Sequence, residues 1–143
     1  MLNMKFEDFN FEVIDVSASR SGNPDMHVTQ NGITFTQKLI EDMGYPQYVR
    51  PMIDIKRKVF ALRACKADAE NALRFSKQKT EQKKALVSYS GAVRRIIYGI
   101  MGGEWKRENR YYITGVWYSD AKAMVFDLNT ARELPPYIAP AHR

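Results

Sequence analysis

Two stretches of this chain, DIKRKVFAL from Asp54 to Leu62 and DAKAMVFDL from Asp120 to Leu128, carry Asp, Lys, Val, Phe and Leu at the same five of nine places. Phe and Leu two residues apart send both side chains to one face of a strand, and the Val before Phe points the other way. The Asp can accept backbone N–H groups in a turn, and the Lys beyond it keeps a hairpin tip solvated. A hairpin of this kind exposes one apolar face and must cover it with something. Two such hairpins in one chain can cover each other.

The surroundings of the two stretches follow the same order. Before the first, MHVTQ and ITF flank Asn31-Gly32, a dipeptide suited to a tight hairpin turn. Thr36 then offers a hydroxyl cap to a short helix with Leu39, Ile40 and Met43 on one face, and Gly44 and Pro46 stop it. YVRPMID follows as a strand, and Pro51 confines it to an edge or a bulge. Before the second, ALVSYS reads as a strand and Ser90 as a helix cap. Val93, Ile96, Ile97 and Ile100 give an amphipathic stripe that ends at Met101-Gly102, and RYYITGVWYS reads as one strand. The expected architecture is α+β, a mostly antiparallel sheet or barrel built from two β-α-β-β units at 26–65 and 85–130. The two units form a pseudo-dimer within a single domain.

Outside the units the reading is plainer. Phe9, Phe11 and Val13 alternate with polar residues and predict a strand, and Ser17 to Asp25 predicts a loop. The charge-rich run 66–84 reads as a polar linker in which only Leu73 and Phe75 could anchor, and 131–143 reads as an irregular tail.

A strand, a short helix and a β-hairpin used in two copies resembles the swapped-hairpin domain of the AbrB and SpoVT-type transcription regulators. There, two chains interlace into one DNA-binding barrel. The match to that family's Leu-Arg-Arg-x-Leu helix is Val93-Arg94-Arg95-Ile96-Ile97. The first helix departs from it, with Glu41 and Asp42 where the family has arginines. The resemblance implies an intramolecular version of that barrel and a DNA-binding role.

Charge points the same way. Lys and Arg number 22 against 16 acidic residues, a formal charge of +6, which suits nucleic acid or an acidic protein surface. The candidate nucleic-acid contacts are Arg50, Lys56, Arg57, Lys58 and Arg63 on the first hairpin and Arg94 and Arg95 on the second helix. Lys106, Arg107 and Arg110 accompany Trp105 in a following loop.

Catalytic chemistry finds little support. One cysteine, Cys65, and two histidines, His27 and His142, cannot assemble a Cys/His metal site. Cys65 has basic neighbours but His27 as its one candidate base, and Gly102-Gly103 lacks the Lys-Ser/Thr of a phosphate loop. The expectation is a non-enzymatic protein without metal or cofactor. A lone cysteine, an acid-bearing N-terminus and no long apolar run predict a cytoplasmic chain with no membrane partner. Two functions follow: a small basic DNA-binding regulator, or a protein-interaction module such as an inhibitor or adaptor from a mobile element. Homodimerisation through the Tyr48–Asp54 edge accompanies either.

Overall fold

The computed structural model describes residues 5–12, 22–82, 86–88 (as backbone) and 91–136. The proposed Ser90 cap, Val13 and most of the Ser17–Asp25 loop lie outside them. The fold is α+β, and the described residues form ten strands, β1 to β10, in two antiparallel sheets and two α-helices. Sheet A runs β10 (Arg132–Leu134), β7 (Arg110–Thr114), β1 (Asp25–Thr29), β2 (Gly32–Phe35), β6 (Leu86–Ser88). Sheet B runs β5 (Leu73–Arg74), β3 (Tyr48–Asp54), β4 (Val59–Ala64), β9 (Ala123–Asp127), β8 (Val116–Tyr118). Helix α1 spans Gln37–Asp42 and α2 spans Gly91–Met101.

Local chemistry explains the first half. The Thr29 hydroxyl accepts the Asn31 N–H at 3.2 Å and donates to the Gly32 carbonyl at 3.3 Å, which closes the β1–β2 hairpin. At the start of α1 the Thr36 hydroxyl accepts N–H groups from Leu39 at 3.3 Å and Asp25 at 3.0 Å, and donates to Asn23 O at 2.8 Å. One side chain therefore caps the helix and ties it to β1. Gly44 (φ +77°) ends α1 in the left-handed region, as a glycine there should. Pro51 sits beyond the reach of β5, which pairs only with Tyr48 and Val49, so the missing N–H falls on an open edge.

The inner faces of the sheets share one core. Met26, Val28, Ile33, Phe35 and Ile113 of sheet A are buried with Val49, Phe60, Leu62, Met124 and Phe126 of sheet B, and Leu39, Ile40, Ile97 and Met101 close it from the helices. Each such side chain contributes about 1.5–3 kcal/mol by leaving water. Phe60 and Phe126 from the matching nonapeptides are cross-strand partners, with ring centroids 5.9 Å apart.

The expected barrel does not form: the strands close into two open sheets. The order of elements recurs in the two halves, but the sheet partners do not. β3 lies wholly in sheet B, whereas its counterpart divides, β7 in sheet A and β8 in sheet B. Gly115 is the joint. Its N–H donates to Pro24 O at 2.7 Å, and a Cβ there would lie 2.7 Å from Met124 Sδ and 2.9 Å from Phe126 Cε1. Only a residue without a side chain lets the strand cross between sheets over that core. The turns differ as well. Asp54 accepts the Arg57 N–H at 3.0 Å from the last position of its strand, but Asp120 lies within its turn, after Tyr118 at the strand end. In both hairpins the residue before the returning strand, Lys58 or Lys122, is left-handed (φ +57° and +51°).

Four further expectations are corrected. The segment from residue 131 is not irregular throughout, because Arg132–Leu134 form β10 and pair with β7 in sheet A. Phe9 and Phe11 form no strand. Phe6–Asp8 is a 3-10 turn, and the rings of Phe6, Phe9 and Phe11 pack on one another near the surface. The polar run after β4 is more than a linker, because β5 extends sheet B and buried Phe75 packs edge-on against Phe35 with centroids 5.2 Å apart. Ile96 is not on the buried stripe of α2: it is 50% exposed and borders a shallow apolar groove with Pro51 and Met52. Met101 takes its place in the core.

Candidate functional site

The seven candidate cations occupy three places. Arg50 and Arg63 stand directly opposite each other on β3 and β4. Lys56, Arg57 and Lys58 form the tip of that hairpin. There Arg57 pairs with Asp54 at 3.2 Å, and Lys58 pairs with Glu104, just beyond α2, at 3.0 Å. The Arg57 N–H and guanidinium beside Asp54 hold its carboxyl below the usual carboxylate range. The tip is thus partly neutralised by its own chain, and the Lys58–Glu104 bridge sets it beside the end of α2. Arg94 and Arg95 lie on the flank of α2 away from Ile96.

At α2 the structure assembles what the sequence left apart. Arg94, Arg95, Tyr98, Gly99 and Gly102 line a groove of about 370 Å³, and the loop after the helix folds back to add Trp105 and Arg107. The return is fixed by N–H groups of Glu104 and Trp105, both donating to Met101 O at 2.8 Å. Trp105 is then held from two sides, stacked on Tyr111 at 4.2 Å and meeting Tyr98 edge-on at 5.8 Å. The Tyr111 hydroxyl donates to Glu133 at 2.8 Å and accepts the Lys106 N–H, so the loop carrying Arg107 is anchored to sheet A. Arg107 was legible in the sequence as a loop cation beside Trp105; nothing there placed it against Arg94 and Arg95.

The groove is positive, and one of its three cations is held in place. Arg94 donates to Gln30 O, which fixes its guanidinium against the β1–β2 turn. Arg95 and Arg107 have no hydrogen-bond or ion-pair partner among the described residues. Burial raises the Tyr98 phenol above its ordinary value, while Arg94 and Arg107 pull against that shift. Its hydroxyl is buried without a partner among the described residues. The three guanidiniums supply donors only, the chemistry of an anion site. Trp105 and Tyr111 are both buried in the core and stacked on each other, so neither offers a base an open face.

Other chemistry is not assembled. Among the described residues no group of three His, Cys, Asp or Glu could hold a metal ion. His27 lies on β1 in sheet A and Cys65 directly after β4 of sheet B, so the thiol and its one candidate base belong to different sheets. Among the described residues no helix is long and apolar enough to cross a membrane. No family model, curated protein or solved structure matches the chain.

Proposed function

We propose that the protein is a small non-enzymatic nucleic-acid-binding protein that seats a phosphate backbone in the α2 groove and acts as a regulator of transcription. The observation that carries this reading is the convergence of Arg94, Arg95 and Arg107 on one groove, none of them with an acidic partner among the described residues. The mode is phosphate contact rather than base reading, since the groove offers cations while its Trp105 is stacked on Tyr111 in the core. Lys56, held near the end of α2 by the Lys58–Glu104 bridge, adds a further cation there, while Arg57 is paired with Asp54.

Three neutralised phosphates give a slope of about −3 in log affinity against log salt for duplex DNA. Titration of a labelled duplex of arbitrary sequence by fluorescence anisotropy measures it. Arg95→Ala with Arg107→Ala should make the slope shallower by about 2. No binding at the lowest salt overturns the reading.

The apolar groove where Ile96 and Met52 are 50% and 44% exposed favours a second reading, a protein-interaction module. A purified partner retained after nuclease treatment, and lost with Ile96→Ser, would support it over the first.

A further inference from the structure

Sheet B has a second face, turned away from the core. The strand register lays its side chains in rows. One row runs Arg50, Arg63, Ala123, Tyr118 across β3, β4, β9 and β8, and the next runs Met52, Ala61, Val125, Val116. Tyr48 and Arg74 stand beside the first row at the β5 edge. Met52, Arg63, Val116 and Tyr118 are exposed, Tyr118 by 54%.

Two features of this face lack an internal explanation. Like charges directly opposite on antiparallel strands repel, yet Arg50 and Arg63 are such a pair and have no acidic partner among the described residues. Each is instead braced through its Nε–H on a backbone carbonyl, Glu70 O at 2.9 Å and Ala121 O at 3.1 Å. That bracing leaves the terminal NH₂ groups of both guanidiniums without a partner among the described residues. The second feature is Tyr118, an exposed phenol in the same row, separated from Arg63 only by the small side chain of Ala123. Across three strand intervals the row is about 14 Å long. Cations at one end, an aromatic ring at the other and a low floor between them suit a chain that alternates phosphate and planar base.

We propose that the outer face of sheet B binds single-stranded nucleic acid, with Arg50 and Arg63 on the phosphates and Tyr118 under a base. This rests on the nucleic-acid reading above and adds to it a second surface that accepts a different strand form. The two surfaces divide the work: the α2 groove has phosphate donors beside a Trp105 packed into the core, and the sheet face has phosphate donors and the exposed ring of Tyr118. Stacking on an exposed ring tolerates any base, so the face selects unpaired strand rather than sequence.

The probe is a labelled oligothymidine of about 15 nucleotides, run beside the duplex used for the groove. Tyr118→Ala should weaken oligothymidine binding about tenfold and leave duplex binding as it was. Arg50→Ala with Arg63→Ala should make the single-strand salt slope shallower by about 1.4. Full oligothymidine affinity in both variants overturns the proposal, and if duplex binding still depends on Arg95 and Arg107 the groove reading survives alone. Binding of neither probe removes both. Should these variants instead disperse a dimer in analytical ultracentrifugation while oligothymidine binding is unchanged, the face is a contact between copies of this chain and the proposal fails.

Discussion

The outer faces of the two sheets handle charge in opposite ways. On sheet A the buried Asp25 accepts the Thr114 hydroxyl at 2.6 Å and the Arg132 guanidinium at 3.0 Å, with His27 Nε2 at 3.9 Å, and the His27 ring stacks on Tyr112 at 3.6 Å. Its cation and anion answer each other inside the fold. On sheet B, Arg50 faces Arg63 and no acid answers either among the described residues. Charges that close on themselves hold a structure together; charges left opposed are set for something outside it. The contrast separates stability from binding, and it can be broken by mutation.

The largest effect belongs to sheet A. Asp25→Ala leaves Thr114 and Arg132 without their acceptor and should cost about 2–3 kcal/mol in urea unfolding. Arg50→Ala on sheet B should change stability by less than about 0.5 kcal/mol, because it removes a repulsion along with a surface hydrogen bond. Equal losses at the two sites would end the comparison.

What was legible in the sequence is what local chemistry decides. The Thr36 cap and the Gly44 stop depend on a few neighbouring residues and stand where the residue types put them. The β1–β2 hairpin forms as expected but turns at Gln30-Asn31, one residue before the Asn31-Gly32 dipeptide, with Gly32 opening β2. Arg94 and Arg95 were readable as a polar flank because helical spacing sets faces. The rest needed tertiary information. RYYITGVWYS looks like one strand, and only the positions of Met124 and Phe126 against Gly115 show why it serves two sheets. Phe75 was legible as an anchor of the polar run, but only the fold shows that Phe35 is what it packs against. Phe9 and Phe11 have the strand period but no neighbouring strand among the described residues, so alternation produced nothing. At the site, Arg107 joins the groove through a loop return, and the opposition of Arg50 and Arg63 exists only once the register is known.

A smaller effect tests the sheet A cluster by pH. Burial holds the His27 imidazole below its ordinary value, with the Arg132 and Arg110 charges adding to that and Asp25 working against it. A group whose folded pKa is depressed takes up its proton first in the unfolded chain. The stability it contributes is therefore fully present above about pH 6.5, the unfolded value, and is lost as pH falls through the lower folded value. His27→Gln should flatten that part of the stability profile. A profile with the same step in the variant would show that another group is responsible.

The smallest effect is the sharpest, because its sign distinguishes the two roles. Arg63→Glu turns the like-charged pair into an opposite-charged one in the same register, with Arg50 directly across. Cross-strand pairing of that kind is worth about 0.2–1 kcal/mol, set against loss of the exposed bond to Ala121 O. The variant should be at least as stable as the parent in urea, yet its oligothymidine binding should collapse, since a carboxylate now faces the phosphate. If the arginine pair served the fold, the same change would lower stability and spare binding. A residue whose replacement improves the protein as a folded object and ruins it as a binder is retained for the ligand, and the Arg50–Arg63 pair is where this molecule makes that separable.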